Sequence, residues 1–294
     1  MLPLFDAHNH LHDEWLSPHR HRILADLAIA GVEGCVVNGS NETDWPQVLA
    51  LCSPIKDHPQ LVTLIPSFGL HPWEVGNRTP DWQQNLLRHL DAAPHVGVGE
   101  IGLDRWILER ARPEDPRLTG LRRAPLDEQI EVFRWQLTLA AERSLPASVH
   151  CLDAFGALHE VLRSTPIPSR GFLLHAYNGS SELALAFTKL GAYFSFNGAF
   201  LDPRKSRVRD VYKTIPADRL LVESDAPAMR LPSALEHFTL PPAHSGESMS
   251  HPGNLAATYA ALADLRGLSV ESLVAEVARN FTALFGLSDR PKGS

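Results

Sequence analysis

The stretch Leu4–Gly31, LFDAHNHLHDEWLSPHRHRILADLAIAG, contains the repeating unit from which the fold of this chain can be predicted. It begins with a short apolar run, Leu4–His8, which is typical of a buried strand. Pro18–Ala30 follows, with apolar residues at helical spacing at Ile23, Leu24, Leu27 and Ala28. Gly31 then ends the helix, so the stretch predicts one strand followed by one helix.

The same alternation recurs through the rest of the 294 residues. Strands are predicted at Leu4–His8, Cys35–Asn38, Leu61–Phe68, Val96–Ile101, Ala147–His150, Phe172–His175, Tyr193–Phe196 and Leu220–Glu223. The helices that follow them are predicted at Pro18–Ala30, Asp44–Cys52, Trp82–Ala92, Leu126–Ser144, Ala154–Arg163, Ser181–Lys189, Arg204–Ile215, Asn254–Arg266 and Val270–Phe285. Eight such units without a linker predict one closed (β/α)8 barrel, a TIM barrel, in which residues 1–294 form a single domain.

An open doubly wound sheet is the competing fold for this alternation. Such a sheet would usually bring a Gly-rich phosphate-binding turn between a strand and a helix. The sequence has no P-loop pattern, and its one GxGxxG match, at residues 97–102, falls on the predicted fourth strand and does not open a helix. Two connections, residues 105–124 after the fourth strand and 226–252 after the eighth, are too long for ordinary loops. Because active sites of TIM barrels lie at the C-terminal ends of the strands, we expect both long loops to overhang the site.

Composition narrows the class of protein. The chain is 44% hydrophobic and 21% charged, which suits an enzyme with one large core. Its formal net charge of −7 argues against coating nucleic acid through bulk charge, but allows local binding of one phosphate. The three cysteines have no zinc-knuckle or CxxC spacing, so no disulfide framework is expected. No run approaches the roughly 20 apolar residues of a membrane span, and we expect a cytoplasmic protein without an obligate protein partner.

Metal-ligand side chains follow five of the predicted strands. They are His8 and His10 after the first strand, Glu100 in the fourth, His150 at the end of the fifth, His175 at the end of the sixth and Asp225 after the eighth. Side chains two apart in a strand point to the same side, so His8 and His10 can bind one ion together. This set predicts a two-metal hydrolase site at one end of the barrel.

Each of these residues also has a structural alternative. A single His-x-His pair is more often a coincidence of core or surface than a metal site. Glu100 could cap the loop that follows it, and His175 could be a core histidine bonded to a backbone carbonyl. Asp104 could line the site or cap the long loop, and Trp73 could stack on a base or pack under that loop.

Six motifs in order give the chain a family resemblance. They are FDAHNHL, GLHPW, GEIGLD, LPASVH, LLHAYNG and LLVESDAP, and the C-terminal NFTALFG also fits. With these motifs the chain resembles the TatD family of metal-dependent hydrolases, within the amidohydrolase-like barrel superfamily. The resemblance runs from residue 5 to residue 286. It implies a TIM barrel, a pair of divalent metal ions and phosphodiesterase activity on DNA, often at 3′ ends.

The resemblance also implies roles for individual residues. His8, His10 and Asp225 would hold one metal, Glu100 would bridge both metals as a catalytic carboxylate, and His150 and His175 would hold the other. His71 would face the substrate at the end of the third strand.

The chemistry of the donor set agrees with these roles. Imidazole and carboxylate ligands suit Zn²⁺ or Mn²⁺, whereas an Mg²⁺ site prefers oxygen ligands, so the identity of the ions stays open. Asp225 is the expected general base, since one oxygen can bind metal while the other accepts a proton from water. Glu223, two positions earlier, is expected to support Asp225 from behind.

Departures from the family pattern fall on substrate contacts. Leu152 stands where relatives commonly have arginine, and residues 249–254 replace a common Arg-Asn-Glu-Pro stretch. Arg105, Arg122 and Arg123 could restore positive charge. The sequence therefore favours a phosphodiesterase acting on nucleic-acid ends or small phosphodiesters. A hydrolase of a small ester, lactone or amide is the alternative, and a catalytically silent binding module is a third hypothesis.

Overall fold

The computed structural model describes residues 2–53, 62–243 and 246–286, and these contain eight parallel strands in one sheet. The strands are β1 (Leu4–Asn9), β2 (Val32–Asn38), β3 (Thr63–Phe68), β4 (Gly97–Asp104), β5 (Ala147–Leu152), β6 (Phe172–Leu174), β7 (Ala192–Asn197) and β8 (Leu220–Glu223). They lie in the order of the sequence, each paired with the next. Parallel neighbours in sequence order with helical crossovers confirm the predicted TIM barrel.

Ten α-helices connect the described strands or follow them. They are α1 (Arg20–Ile29), α2 (Trp45–Cys52), α3 (Trp82–Asp91), α4 (Trp106–Glu109), α5 (Leu126–Glu142), α6 (Phe155–Arg163), α7 (Ser181–Lys189), α8 (Ser206–Thr214), α9 (Leu255–Arg266) and α10 (Val270–Phe285). The predicted helices agree with these to within a few residues. The predicted start of the third strand, Leu61, and the outermost residues of the expected single domain lie outside the described residues, so that domain stays a prediction.

The barrel closes between β1 and β8, at the end where the candidate ligands lie. The backbone N–H of Asp225 donates to the carbonyl of His8 at 2.9 Å, and that of His10 donates to the carbonyl of Ala226 at 2.8 Å. Two of the expected metal ligands are thus joined through the backbone itself. The strands are enclosed on both faces, and every residue of β1, β4, β7 and β8 is buried.

Strand ends differ from the predicted ones where pairing continues past the apolar run. β2 begins at Val32, because Val32 pairs with Leu4 of β1 although the polar Glu33 interrupts the run. β4 continues to Asp104, whose neighbour in the ladder is Leu152 of β5. Both extensions rest on partner strands that are distant in sequence.

Two glutamines of α5 fasten the strand-end loops around the site. Gln129 and Gln136 are seven positions apart on one helical face, and both are fully buried. The Gln136 carboxamide accepts from the backbone N–H of Leu70 at 2.7 Å and donates to its carbonyl at 3.2 Å. Gln129 pairs in the same way with the backbone of Asp104, at 2.8 and 3.1 Å. These bonds position the segments that carry His71 and Asp104.

The long loop at residues 105–124 is an ordered insert with its own small core. It contains α4 and a short 3-10 helix, Pro116–Leu118. A second apolar cluster forms within it, separate from the barrel core, and consists of Ile107, Ala111, Leu118, Trp73, Trp106, Leu108 and Leu121. Trp73 comes from the β3 end, so the insert is packed against the same strand ends as the candidate ligands.

The loop after β8 packs back onto the barrel through the segment that departs from the family pattern. His251 is buried, and its Nε2 atom lies 3.2 Å from a carboxylate oxygen of Asp26 in α1. The side chain of Asn254 accepts from the backbone N–H groups of His237 and Phe238, at 2.8 and 2.9 Å. Residues 249–254 therefore anchor this loop.

Two expectations from composition can be compared with the structure. All three cysteines are free thiols, as expected. Within the described ranges, none of the helices has the combination of length and apolar character needed to cross a membrane.

Replacing Gln136 with leucine should lower the free energy of unfolding by about 1–3 kcal/mol, because the buried backbone groups of Leu70 lose their partners. Urea unfolding followed by circular dichroism measures the change. Glu131→Gln, at an exposed position of the same helix, is the control and should change stability by less than about 0.5 kcal/mol. Equal stabilities of the two variants would show that these bonds contribute nothing net.

Candidate metal centre

Two histidines of the first strand end present the same ring nitrogen to the barrel mouth. The Nδ1 atom of His10 lies 2.8 Å from the carbonyl oxygen of Asn38, so Nδ1 carries the proton. The Nδ1 atom of His8 lies 2.8 Å from the hydroxyl of Ser148. With Nδ1 occupied in both rings, Nε2 is left to face the centre. This is the arrangement in which a histidine is oriented for metal binding by its other nitrogen.

Glu100 is the hub of the site, and its two carboxylate oxygens face different histidines. Oε2 lies 3.5 Å from Nε2 of His8 and 3.2 Å from Nε2 of His10. Oε1 lies 2.8 Å from Nε2 of His175 and 3.0 Å from Nδ1 of His150. The carboxylate thus stands between two histidine groups, as a bridging ligand would.

Asp225 completes the first of these groups. Its Oδ1 atom lies 3.7 Å from Nε2 of His8 and 3.5 Å from Nε2 of His10. Asp225 has a left-handed backbone conformation, with φ 51°, which is unfavourable for a residue with a side chain. Its backbone bond to His8 holds the residue in that conformation. Strain of this kind is concentrated at functional sites.

The donor atoms fall into three overlapping groups, each with all atoms within 4.8 Å of one another. The groups are His8, His175 and Asp225; His8, His10 and Glu100; and His71, Glu100 and His150. All six residues expected as metal ligands are therefore brought together. The geometry places His175 with His8 and Asp225 as well as beside Glu100, and the His8 and His175 rings stack with centroids 4.0 Å apart.

His71, the residue expected to face the substrate, lies against Glu100. Its Nε2 atom is 3.4 Å from Oε1 of Glu100, and its ring contacts that of His150 edge-on. His71 is thus within the group of candidate ligands on the His150 side.

Asp104 serves both of the roles that its position allowed. One oxygen, Oδ2, lies 3.0 Å from Nε2 of His150 and accepts from the indole N–H of Trp73 at 2.7 Å. The other accepts from the backbone N–H of Ile107 at 2.9 Å, in the first turn of α4. Asp104 therefore orients His150 and ties the insert to the metal centre.

Glu223 lies beneath the site and, within the described ranges, makes no hydrogen bond to a candidate ligand. Its carboxyl accepts hydrogen bonds from Ser195 and, at 3.2 Å, from Asn197. Asn197 also donates to the carbonyl of Ser224, the residue before Asp225, at 3.3 Å. Burial, together with the charge of Asp225, raises the pKa of Glu223 well above its usual value. Glu223 is thus linked through Asn197 to the backbone beside Asp225, and its expected support of Asp225 stays a prediction.

Asp6 is a structural carboxylate that the motif search did not single out. It accepts from the backbone N–H of Ser224 at 2.9 Å, from the Ser224 hydroxyl at 2.6 Å and from the Asn9 amide at 3.0 Å. Burial raises the pKa of Asp6 to about 6, against the lowering effect of these bonds. In the sequence, a role for Asp6 was indicated by its position two residues before His8, because both side chains then point to the same side of the strand. No sequence pattern marked Ser148 and Asn38, which orient the two histidines.

The electrostatics of the cluster favour the ligand forms of several side chains. Burial, and then the neighbouring His175, lowers the pKa of His8 to about 4, so its ring is neutral. Burial would raise the pKa of Glu100, but the surrounding histidines hold it well below its usual value. The pKa of Asp225 is likewise lowered, despite burial, by its bond to His10. Neutral imidazole and ionised carboxylate are the forms that bind metal.

One observation that does not depend on the sequence motifs also indicates that these donors fit a divalent metal ion. Among the described residues, the buried Nε2 of His8 and the buried Nδ1 of His175 have no hydrogen-bond partner. Buried polar nitrogens without partners are costly unless something absent from the coordinates satisfies them. For Nε2 of His8, which is neutral and aimed at two carboxylates, a cation satisfies this requirement.

Comparison with known proteins identifies relatives of this chain. A family model described as TatD related DNase matches residues 5–286. A protein named uncharacterized metal-dependent hydrolase YabD, from Bacillus subtilis, is 27% identical, with 97% of this chain and 100% of that protein covered. A protein named 3′-5′ ssDNA/RNA exonuclease TatD, from Erwinia amylovora, is 28% identical with the same coverage.

Solved structures give the same result for the fold. The crystal structure of YJJV, a TatD homologue from Escherichia coli K12, superposes with a TM-score of 0.79 at 26% identity, covering 97% of this chain and 98% of that one. A TatD family hydrolase from Entamoeba histolytica, at 16% identity, has the same TM-score and shares the fold. The family match spans nearly the whole chain. The chain belongs to the TatD family of metal-dependent hydrolases.

Proposed function

We propose that this protein uses two divalent metal ions to hydrolyse phosphodiester bonds at the ends of single-stranded nucleic acid. The observation that supports this most directly is the division of the Glu100 carboxylate, with Oε2 facing His8 and His10 and Oε1 facing His150 and His175. A relative of similar length from Erwinia amylovora is named as an exonuclease on single-stranded DNA and RNA.

In this proposal, His8, His10 and Asp225 would hold one ion, His150 and His175 would hold the other, and Glu100 would contribute to both. His71 is a further donor on the second side, since it contacts the same oxygen of Glu100. The mixture of nitrogen and oxygen donors favours Zn²⁺ or Mn²⁺ over Mg²⁺. Such ions lower the pKa of a bound water towards 7 and stabilise the oxygens of the transition state.

Asp225 is the proposed general base. Its Oδ1 atom faces His8 and His10, which leaves Oδ2 to accept a proton from the attacking water. The lowered pKa keeps this carboxylate ionised at neutral pH, as a proton acceptor must be. Asp104 positions His150 and is not placed to take the proton itself, because both of its oxygens are already bonded.

The insert supplies features typical of single-strand binding. Residues 105–124 contain six arginines and three acidic residues, although the whole chain has a net charge of −7. Trp73 and Trp106 stack with ring centroids 5.9 Å apart, and the Arg117 guanidinium lies 5.0 Å from the Trp106 ring. Aromatic and arginine surfaces of this kind stack on unpaired bases. Their position beside Asp104 supports a strand end as substrate.

A second candidate function is hydrolysis of a small ester or lactone. The observation in its favour is a largely apolar pocket beside the centre, with a volume of about 310 Å³. Such a pocket could accept an acyl chain as well as a nucleotide. The cytoplasmic location and the absence of an obligate protein partner, both expected from the sequence, stay predictions.

Replacing Asp225 with asparagine should lower kcat by about 10²–10⁴-fold, since an amide of the same shape cannot accept the proton. Replacing Glu100 with alanine should lower both metal content and rate, because the shared ligand is lost. Elemental analysis should find up to two ions per chain in the unmodified protein, and chelation should abolish turnover. If Asp225→Asn kept normal turnover at full metal loading, the base would be another residue.

Metal affinity should rise with pH, because a proton must leave His150 before it can bind metal. Burial would lower the pKa of His150, but Asp104 and Glu100 raise it from 6.5 to about 10. In metal-free protein the protonated ring therefore stabilises the fold below pH 6.5, and that stabilisation disappears as the pH rises through about 10.

Isothermal titration calorimetry with Zn²⁺ in buffers of different ionisation enthalpy counts the protons released at pH 7. We expect net release from the unmodified protein and less from Asp104→Asn, in which the charge that holds the proton is gone. Binding without proton release would contradict the assignment of His150 as a ligand.

A single-stranded oligonucleotide should be hydrolysed faster than a blunt duplex of the same sequence. Few phosphates can be contacted, so the logarithm of affinity should fall with log salt with a slope of magnitude about 1–3. The measurement is the rate on both oligonucleotides, with an aryl ester and a lactone assayed alongside. Turnover of the ester or lactone alone would favour the second candidate function.

A further inference from the structure

A pocket of about 310 Å³ opens directly beside the metal centre. His150, His175 and Asp225 form its inner wall, so a molecule in the pocket would lie next to the reacting group. Its volume is at the lower end of the roughly 300–1,000 Å³ usual for small-molecule sites. The pocket can therefore hold one nucleotide unit, and a longer piece of chain would have to extend out of it.

The outer walls of this pocket are mostly apolar. Leu152, Phe200, Val208 and Met229 line it, together with the amide of Asn178 and the ammonium of Lys205. The Lys205 ammonium lies 5.3 Å from the centroid of the Phe200 ring. A cation over an aromatic face in a largely apolar wall is a combination suited to an anionic ligand with an apolar part.

The Lys205 ammonium has no partner of opposite charge among the described residues. It makes neither an ion pair nor a hydrogen bond with them, whereas the adjacent Arg204 is paired with Asp202 at 2.7 Å. Lys205 is half-buried, and burial lowers the pKa of its ammonium despite the nearby charge of Asp202. A partly desolvated, unpaired ammonium gains more from an incoming anion than a solvated one does.

The backbone around the pocket is also unusual. In the described part of the chain, five residues other than glycine have positive φ, and three of them, Ala176 (43°), Asp225 (51°) and Met229 (46°), line this pocket. Non-glycine residues in the left-handed region are uncommon, and they are enriched at ligand sites. These backbone conformations are a second observation, independent of charge, that supports a ligand-binding role for the pocket.

We propose that this pocket binds the terminal nucleotide of the strand, with Lys205 paired to one of its phosphate oxygens and the apolar wall packed against its base and sugar. The inference rests on the proposed phosphodiesterase function and adds to it a residue that determines specificity. Lys205 would make the site prefer an anionic phosphodiester over a neutral ester of similar size.

Removal of this charge by Lys205→Met should lower kcat/KM for a single-stranded oligonucleotide by about 10–100-fold, as expected for a lost charged hydrogen bond. The effect should appear mainly in KM, because the bond is present in ground and transition states alike. The log–log salt slope should fall by about 0.7, equivalent to one phosphate contact. Lys205→Arg should restore most of the loss.

Lys213→Met is the matched control. It also replaces a lysine with methionine, but at an exposed position in α8, where Lys213 pairs with Asp210 away from the pocket. We expect its kcat/KM and salt slope to equal those of the unmodified protein. Calorimetry with deoxyadenosine monophosphate and with deoxyadenosine gives a readout without turnover. Lys205→Met should weaken binding of the monophosphate and leave binding of the uncharged nucleoside unchanged.

The outcomes separate this inference from the proposed function. If the unmodified protein hydrolyses the oligonucleotide but Lys205→Met behaves like Lys213→Met, the assignment of the pocket is wrong and the phosphodiesterase function stands. Equal weakening of monophosphate and nucleoside would also overturn it, because the lysine would then act only on the shape of the pocket. If only neutral esters or lactones are hydrolysed, both proposals fail together.

Discussion

One buried carboxylate organises this protein. Glu100 is 4% exposed and has five imidazole rings, those of His8, His10, His71, His150 and His175, within 3.5 Å of its two oxygens. An isolated carboxylate at this depth would be unstable in its charged form, and a histidine cluster of this density would be unstable without it. The carboxylate and the surrounding imidazole nitrogens therefore stabilise one another, and both are groups that bind divalent metal.

The sequence was sufficient to predict the barrel and six of the seven residues whose donor atoms lie together in the structure; the seventh is His71. Strand and helix periodicity is local, and ligands such as His150 and His175 follow apolar runs that end where a barrel has its mouth. Features set by distant partners were missed. The bonds of Gln129 and Gln136 to the backbone of Asp104 and Leu70 depend on how α5 lies against β4, which no local pattern records.

The same distinction explains the residues whose roles were left open. One oxygen of Asp104 contacts His150 and the other accepts from the backbone of α4. Asp104 therefore lines the site and caps the insert at the same time. His71 is expected to face the substrate, and that role stays a prediction. The structure adds that its Nε2 atom lies 3.4 Å from Oε1 of Glu100, in a segment that the Gln136 bonds to Leu70 hold in place. Ligand type can be seen in a sequence, but the distance between donors cannot.

The closure of the barrel between β1 and β8 has a consequence for the timing of activity. His8 and Asp225 are joined by a backbone bond across more than two hundred residues of intervening chain. Contacts of such long sequence separation form only when most of a domain is already in place. A nascent chain that has not yet produced β8 lacks both the closing bond and the Asp225 carboxylate. The candidate ligands therefore cannot come together on the ribosome until β8 and Asp225 have been synthesised.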